Sequence, residues 1–221
     1  MLARERRFTA DAAHELRTPL AVLRAQWDVL RRARPGVERE AAEAQMTRGL
    51  ERLDRLVAQM LSLARLDAGT AAVARQRVDW PVLVEQAMND CLPLAERRRI
   101  ELECDWAQPE GRPALPLQGD AALLAVLLRN LLDNAVRYAP EGSTVTLRFD
   151  EHSLQVSNDA EPLAAEALAR LGERFFRPDG QEEIGSGLGL SIVRRIAALH
   201  GLRWSAQPLE GGRGLCVRVE T

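Results

Sequence analysis

The chain has 221 residues, with 30 basic and 32 acidic side chains and a formal net charge of −2. Every basic residue is arginine, so a P-loop lysine, a Schiff-base lysine and the strand lysine of eukaryotic-type kinases are all excluded. A near-neutral balance also argues against a dedicated nucleic-acid binder.

With 46% hydrophobic and 28% charged residues, the composition is that of a folded domain. The longest apolar run, Ala121 to Leu128, is far shorter than the ~18 residues that cross a bilayer, so no membrane segment is expected. Met1 leads directly into a charged stretch, without the pattern of a signal peptide. Cys91, Cys104 and Cys216 have no CxxC spacing, which predicts buried thiols in a reducing compartment rather than a disulfide frame or a zinc site. The expectation is a soluble cytoplasmic chain.

Charge divides the chain. Residues 1–69 carry 13 arginines and 10 acids, net +3; residues 70–221 carry 17 and 22, net −5. In the first part Leu16, Leu20, Leu23, Trp27 and Leu30 recur at steps of four and three. Met46, Leu50, Leu53, Val57, Met60 and Ala64 repeat the pattern, with Arg34-Pro35-Gly36 as the stop between. Such steps predict two helices in an antiparallel hairpin. A hairpin encloses little core, so a second copy is expected to cover the stripe and make a four-helix bundle by dimerisation through residues 1–69. The rival is that the stripe packs on the rest of the same chain.

After Asp67-Ala68-Gly69 the pattern changes. Strand-like runs appear at Ile100–Cys104, Thr144–Phe149, Ser153–Ser157, Leu202–Ala206 and Leu215–Val219. Helical patterns lie at about 81–97, 120–138 and 188–200. The mixture predicts an α+β domain with a largely antiparallel sheet over 78–221, joined through a linker at 70–77.

Three clusters are able to do chemistry. In the first, His14 falls at the margin of the helical seam, with Glu15 beside it and Thr18 one turn on. A neutral imidazole is a good nucleophile near neutral pH, and an adjacent carboxylate can take its proton. Neighbours along a helix do not face each other, so Glu15 needs a favourable rotamer or a docked partner. A solvated surface histidine is the plain alternative. In the second cluster, helical spacing puts Asn130, Asn134 and Arg137 in one narrow sector with Tyr138 at its edge, while Leu124, Leu128, Leu131 and Ala135 take the other side. Two amides and a guanidinium suit a hydrated magnesium and phosphate oxygens, or simply a polar surface helix. In the third, Arg174-Phe175-Phe176-Arg177 precedes Gly185, Gly187 and Gly189, which open an amphipathic helix. Alternate glycines let backbone N–H groups approach an anion at a positive helix end, although a flexible turn has the same composition.

The order HELRTP, NLLDNAVRY, RFFRP, GSGLGLSIV resembles the sensor histidine kinases of bacterial two-component systems, over essentially the whole chain. The resemblance implies a dimerisation and histidine phosphotransfer domain followed by an ATP-binding α/β sandwich of the gyrase and Hsp90 type. It implies that His14 accepts the phosphoryl group, that Glu15 is its acid or base, and that Thr18 serves dephosphorylation of a partner regulator. It assigns Asn134 to magnesium with Asn130 assisting, Arg137 to phosphates and Tyr138 to the base or sugar of ATP. Phe175 and Arg177 match the box beside the ATP lid, and Gly185, Gly187 and Gly189 the loop over the phosphates. Gyrase and Hsp90 carry a water-activating glutamate where this chain has Asn130, which implies transfer to His14 rather than to water.

The family usually follows its central strand with Asp-x-Gly-x-Gly, the aspartate holding the adenine amine. Here Asn158-Asp159-Ala160-Glu161-Pro162 stands in its place, leaving Asn158, or Asp159 after a one-residue shift, to read the base. The implied function is ATP-dependent autophosphorylation on His14 and transfer to the receiver domain of a response regulator, in the cytoplasmic part of an inner-membrane receptor. The alternative is mainly a regulator phosphatase, or a non-catalytic dimeric scaffold with weakened ATP binding.

Overall fold

The computed structural model describes the backbone of residues 2–67, 75–178, 185–209 and 211–221, and side chains from residue 12 onward apart from His14. The chain separates into two compact units, Met1–Asp67 and Ala68–Thr221.

The first unit is two long helices, α1 (Leu2–Arg32) and α2 (Val37–Asp67). Between them Gly36 takes φ +104°, a backbone state that glycine enters without a side-chain clash. Helix α1 runs unbroken through Pro19. The chain doubles back closely: the side chains of Leu23 and Gln26 lie against Gly49, where an added Cβ would be 2.7 Å from Leu23 Cδ2. A side chain at position 49 would make the ends of Leu23 and Gln26 move aside.

Every second member of the predicted seam is covered. Leu23 and Met60 are buried, and Leu16, Leu30, Met46 and Leu53 half-buried. Leu20, Trp27, Leu50 and Val57 remain 53, 49, 47 and 39% exposed. The two sets are each spaced by seven residues, so each helix turns one apolar edge inward and leaves a second edge open.

The second unit carries its own core. Strands β2 (Glu101–Trp106), β4 (Thr144–Phe149), β5 (Ser153–Asn158), β7 (Leu215–Glu220) and β6 (Arg203–Pro208) form one sheet, neighbours in that order. All pairings are antiparallel except β2 with β4. A two-residue strand β1 (Gln76–Arg77) pairs antiparallel with β3 (Gln118–Gly119). Alternation sends Val145, Leu147, Phe149, Leu154, Val156, Val217 and Val219 to one buried face. Helices α3 (Trp80–Arg98), α4 (Ala121–Tyr138) and α6 (Gly189–Leu199) pack there. The opposite face is polar, with Asp105, Arg148, Gln155 and Arg218 aligned across four strands.

Helix α4 is the hub. It packs on both α3 and α6, and Leu124, Leu127, Leu128, Leu131 and Leu132 are all at most 1% exposed. Its N-cap Asp120 accepts from the Leu123 N–H at 3.1 Å. His200, just past α6, ties the two helices together. Its Nε2 accepts the Asp120 N–H at 3.0 Å and its Nδ1–H donates to the Ile196 carbonyl at 2.8 Å, an arrangement that needs the neutral ring.

The β4–β5 turn is fixed by Asp150, which accepts from the backbone N–H groups of His152 and Ser153 and from the Ser153 hydroxyl. Burial opposes its charge, yet these hydrogen bonds, with Arg218 nearby, hold the carboxyl below its usual range. The three cysteines are free thiols, Cys91 buried and Cys104 and Cys216 half-buried. Burial first, then the Asp133 charge, pushes the Cys91 thiol up to about 12. No helix among the described residues is long and apolar enough to cross a membrane.

The sequence reading anticipated α3, α4, α6 and each main-sheet strand to within about two residues, and the two hairpin helices by their seam residues without bounds. It missed β1, β3 and the six-residue helix α5 (Ala165–Arg170).

Candidate functional site

The glycine stretch that opens α6 lies against the polar side of α4. Along its polar sector lie Asn130, Asn134, Arg137 and Tyr138, each half-buried. The start of α6 faces this sector: a Cβ placed on Gly185 would lie 3.0 Å from the Tyr138 hydroxyl, and one on Gly189 3.4 Å from Asn130 Oδ1. The structure therefore brings the amide sector and the glycine loop together. The side chain of Asn130 is oriented by its own helix, since Nδ2 donates to the Val126 carbonyl at 2.7 Å and leaves Oδ1 toward Gly189.

Gly187 has a structural duty as well. It sits at φ +67°, and a Cβ there would come within 2.7 Å of the Phe175 carbonyl carbon. The Phe175 N–H donates to the Gly187 carbonyl at 3.0 Å, while Phe175 itself holds φ +61°. A left-handed phenylalanine is costly, by about 1–3 kcal/mol, and persists only where its surroundings impose it. Residues 175 and 187 thus form a backbone latch at the base of the segment between them. The residues from 179 to 184, including most of the expected ATP lid, lie outside the described residues.

A cavity of about 540 Å³ opens between α5 and the stretch Arg174–Pro178, lined by Arg170, Arg174 and Arg177 among others. Arg170 also stacks over the Phe176 ring at 4.0 Å and pairs with Glu173 at 3.1 Å. Phe175 and Arg177 are thus both at this cavity.

The strand alternation sets Asn158 and Asp159 apart. Asn158 continues the inward series Leu154, Val156 and is 4% exposed, whereas Asp159 is exposed. No one-residue shift occurs, because Asn158 keeps register with Val145 and Leu215. Its Nδ2 donates to the Asp159 carbonyl at 2.7 Å, so Oδ1 is the group it can offer to a ligand.

Arg137 is engaged differently from the expectation of a phosphate contact alone. Its guanidinium grips Asp133 with two hydrogen bonds, Nε to Oδ2 at 2.8 Å and Nη2 to Oδ1 at 3.0 Å. Sequence reasoning passed over Asp133, although i,i+4 spacing of opposite charges was the signal for it.

In the first unit, Glu15 is half-buried and Thr18 exposed on α1. His14 belongs to the same helix, and its side chain lies outside the described residues.

Among the described residues no cluster of three or more acidic, histidine or cysteine side chains is suited to hold a metal. The Asn134 side chain, on the polar side of α4 and half-buried, presents an amide oxygen suited to one coordination position of a hydrated Mg²⁺. Magnesium at phosphate sites commonly takes few protein ligands and completes its shell with phosphate oxygens and water, so this donor set fits.

A helical hairpin that carries His14 on α1, followed by a helix-backed sheet with a polar α4 and a glycine-opened α6, has the architecture of a phospho-acceptor domain linked to an ATP-binding domain. Comparison with known proteins agrees. Residues 4–69 match the His Kinase A (phospho-acceptor) domain, and residues 119–221 the histidine kinase-, DNA gyrase B- and HSP90-like ATPase. The chain belongs to the sensor histidine kinases. It is 42% identical to the sensor protein QseC of Salmonella typhi over 221 residues, covering 99% of this chain and 48% of that protein. The solved cytoplasmic segment of histidine kinase QseC is similar at 29% identity and a TM-score of 0.53, over 77% of this chain and 92% of that one. Full-length ShkA in complex with AMPPNP is similar at 26% identity and a TM-score of 0.63, over 98% and 45%. The chain spans about half the length of the curated relatives it matches.

Proposed function

We propose that the chain transfers the γ-phosphoryl group of ATP to His14 and then to an aspartate on the receiver domain of a response regulator. The observation that carries this reading is the apposition of the α4 amide sector to the glycine loop opening α6. It sets Gly185 beside the Tyr138 hydroxyl and Gly189 beside the Asn130 amide, in the same chain as a phospho-acceptor domain.

A ring nitrogen of His14 attacks the γ-phosphorus, the bond to the β–γ bridging oxygen breaks, and ADP departs. Glu15 takes the imidazole proton as the N–P bond forms. Asn134 would hold Mg²⁺, which would supply positive charge against the phosphate oxygens. Arg137 and Arg177 contact phosphates, Tyr138 and Asn158 the nucleoside, and Phe175 with Gly187 anchors the lid. Asn130 supplies an amide where a water-activating carboxylate would favour hydrolysis. Thr18, exposed one turn beyond His14, orients water for dephosphorylation of the regulator.

Residues 1–69 form the homodimer, residues 70–77 the linker and residues 78–221 the ATP-binding domain. The exposed edge of Leu20, Trp27, Leu50 and Val57 supports the dimer. Likeness to the cytoplasmic segment of histidine kinase QseC supports the cytoplasmic part of an inner-membrane receptor.

The test is radiolabel transfer. Label from [γ-³²P]ATP should reach the wild-type chain in an acid-labile, alkali-stable form, and His14→Gln should abolish it. Label persisting on His14→Gln would sink the proposal. Failure of the wild type to take label would favour the phosphatase reading instead, and Thr18→Ala would then test that directly.

A further inference from the structure

The two-pronged pair between Asp133 and Arg137 is the least expected feature of the site. Both side chains are partly accessible, at 21% for Arg137 and 33% for Asp133, so the pair is neither sealed in the core nor loose in solvent. A guanidinium fork accepts two carboxylate oxygens in the same geometry in which it accepts two phosphate oxygens. At helical spacing, Asp133 stands about 60° around the helix from Asn130, on the side away from Asn134 and Tyr138. That side faces α3. Arg129, a little further round, reaches Asp90 of α3 at 3.6 Å. The Asp133 charge also acts on Cys91 of α3, where it helps to raise the thiol. The head of Arg137 is thus drawn toward the α3 margin of α4 by the pair, away from the amides of Asn130 and Asn134.

We propose that Asp133 is a positioning residue that stands in for nucleotide phosphate on Arg137 and so lowers the affinity of the site for phosphate-bearing ligands. The inference rests on the reading of this site as nucleotide-binding. A phosphate that recruits Arg137 must displace a bidentate partner, and it leaves an uncompensated carboxylate one helical turn away. Both effects weaken binding, and both grow with the charge on the ligand. Neither touches the nucleoside, which Asp133 does not contact in this scheme. The device keeps an arginine ordered in the empty site and sets a threshold that ATP, with three phosphates, meets better than ADP.

The experiment is calorimetric titration of the whole 221-residue chain with Mg·ATP, Mg·ADP and adenosine, for wild type, Asp133→Asn and Asp133→Glu. Asp133→Asn is expected to tighten ATP by roughly three- to tenfold, the scale of a half-exposed charge pair, and ADP by less. Adenosine affinity stays at the wild-type value, and Asp133→Glu, which keeps the carboxylate, stays near wild type for all three. Should Asp133→Asn not fold, Asp133→Ser is expected to show the same direction. Unchanged or weaker ATP binding with adenosine constant overturns the proposal, since Asp133 would then hold Arg137 ready for the ligand. A parallel change for adenosine and ATP also overturns it, because Asp133 would be acting through the fold. Wild type that binds neither ATP nor adenosine overturns the nucleotide reading itself, and this inference with it.

Discussion

The two units solve the problem of burying apolar surface in opposite ways. The ATP-binding unit closes its core within one chain: sheet and three helices sandwich Phe149, Leu124, Leu128 and Leu131 to near-zero exposure. The hairpin does not, and leaves Leu20, Trp27, Leu50 and Val57 open along a second edge. Two helices have too little volume to enclose both edges of their seams, and burying the second requires more helices. Stability in one unit is therefore a property of the monomer, and in the other, if the hairpin dimerises as proposed, a property that depends on concentration.

The largest effect that would break this contrast comes from charging the open edge. Leu20→Glu with Trp27→Glu should turn a dimer into a monomer, with dissociation strengthened by at least about 100-fold, while nucleotide affinity of the second unit is kept. Sedimentation equilibrium reads the first and calorimetry the second; a dimer that survives both charges would place the contact elsewhere.

Next in size is truncation inside the closed core. Leu128→Ala should cost about 3 kcal/mol in urea unfolding of the ATP-binding unit without changing the dimer constant. A loss that depended on protein concentration would mean the two units are not separable in this sense.

Alkali should sharpen the contrast. The folded thiol of Cys91 is raised to about 12 from an ordinary value of 9.0. Its contribution is complete below pH 9 and is lost as pH climbs from 9 toward 12, because the unfolded chain gives up the proton first. Burial raises the Cys104 and Cys216 thiols of the same unit as well, so they add to the effect in the same direction. The unit should weaken by about 1 kcal/mol per pH unit above 9 on account of Cys91 alone, and Cys91→Ser should reduce that slope without abolishing it. The hairpin, which has no cysteine, should not follow. Helix content lost equally from both units between pH 9 and 11 would contradict this.

The smallest effect belongs to the hairpin surface. Arg39 and Glu43, paired at 3.0 Å and more than half exposed, should yield only about 0.3–0.5 kcal/mol on Arg39→Ala. A larger loss would give the pair a role that its exposure does not explain.

The long elements were legible because their periods are clean. Steps of four and three fixed α1, α2 and α4, and period-two runs fixed the main strands. What escaped notice had no such signal. Helix α5 has six residues, no side-chain cap and no buried residue, so nothing in its composition separates it from a loop. Strands β1 and β3 are two residues each. Within the site, the clustering of α4 with the glycine loop followed from motif order, but the latch between Phe175 and Gly187 did not. A phenylalanine at positive φ has no sequence signature, and the glycine was read as clearance for phosphate when it is also clearance for a backbone. The difference between Asn158 and Asp159 could have been read from the sequence, since Leu154, Val156 and Asn158 share the inward phase of β5. Asp133 lost attention to its asparagine neighbours. The clasp that His200 makes on Asp120 joins residues eighty apart, beyond any local pattern.

One consequence of the sheet order concerns how the chain tolerates being cut. Strands β5 and β7 are hydrogen-bonded neighbours along six residues each, yet the chain between Asn158 and Leu215 contains α5, the latch, the glycine loop, α6 and β6. That whole stretch is an excursion whose two ends return to adjoining strands, with β6 pairing to β7 on the way back. A backbone break before β6 would leave two fragments still joined by the β5–β7 ladder and by the packing of α6 on β6. The protein is thereby suited to being split and reassembled, with the presence of the second fragment acting as an external control over the nucleotide-binding half of its chemistry.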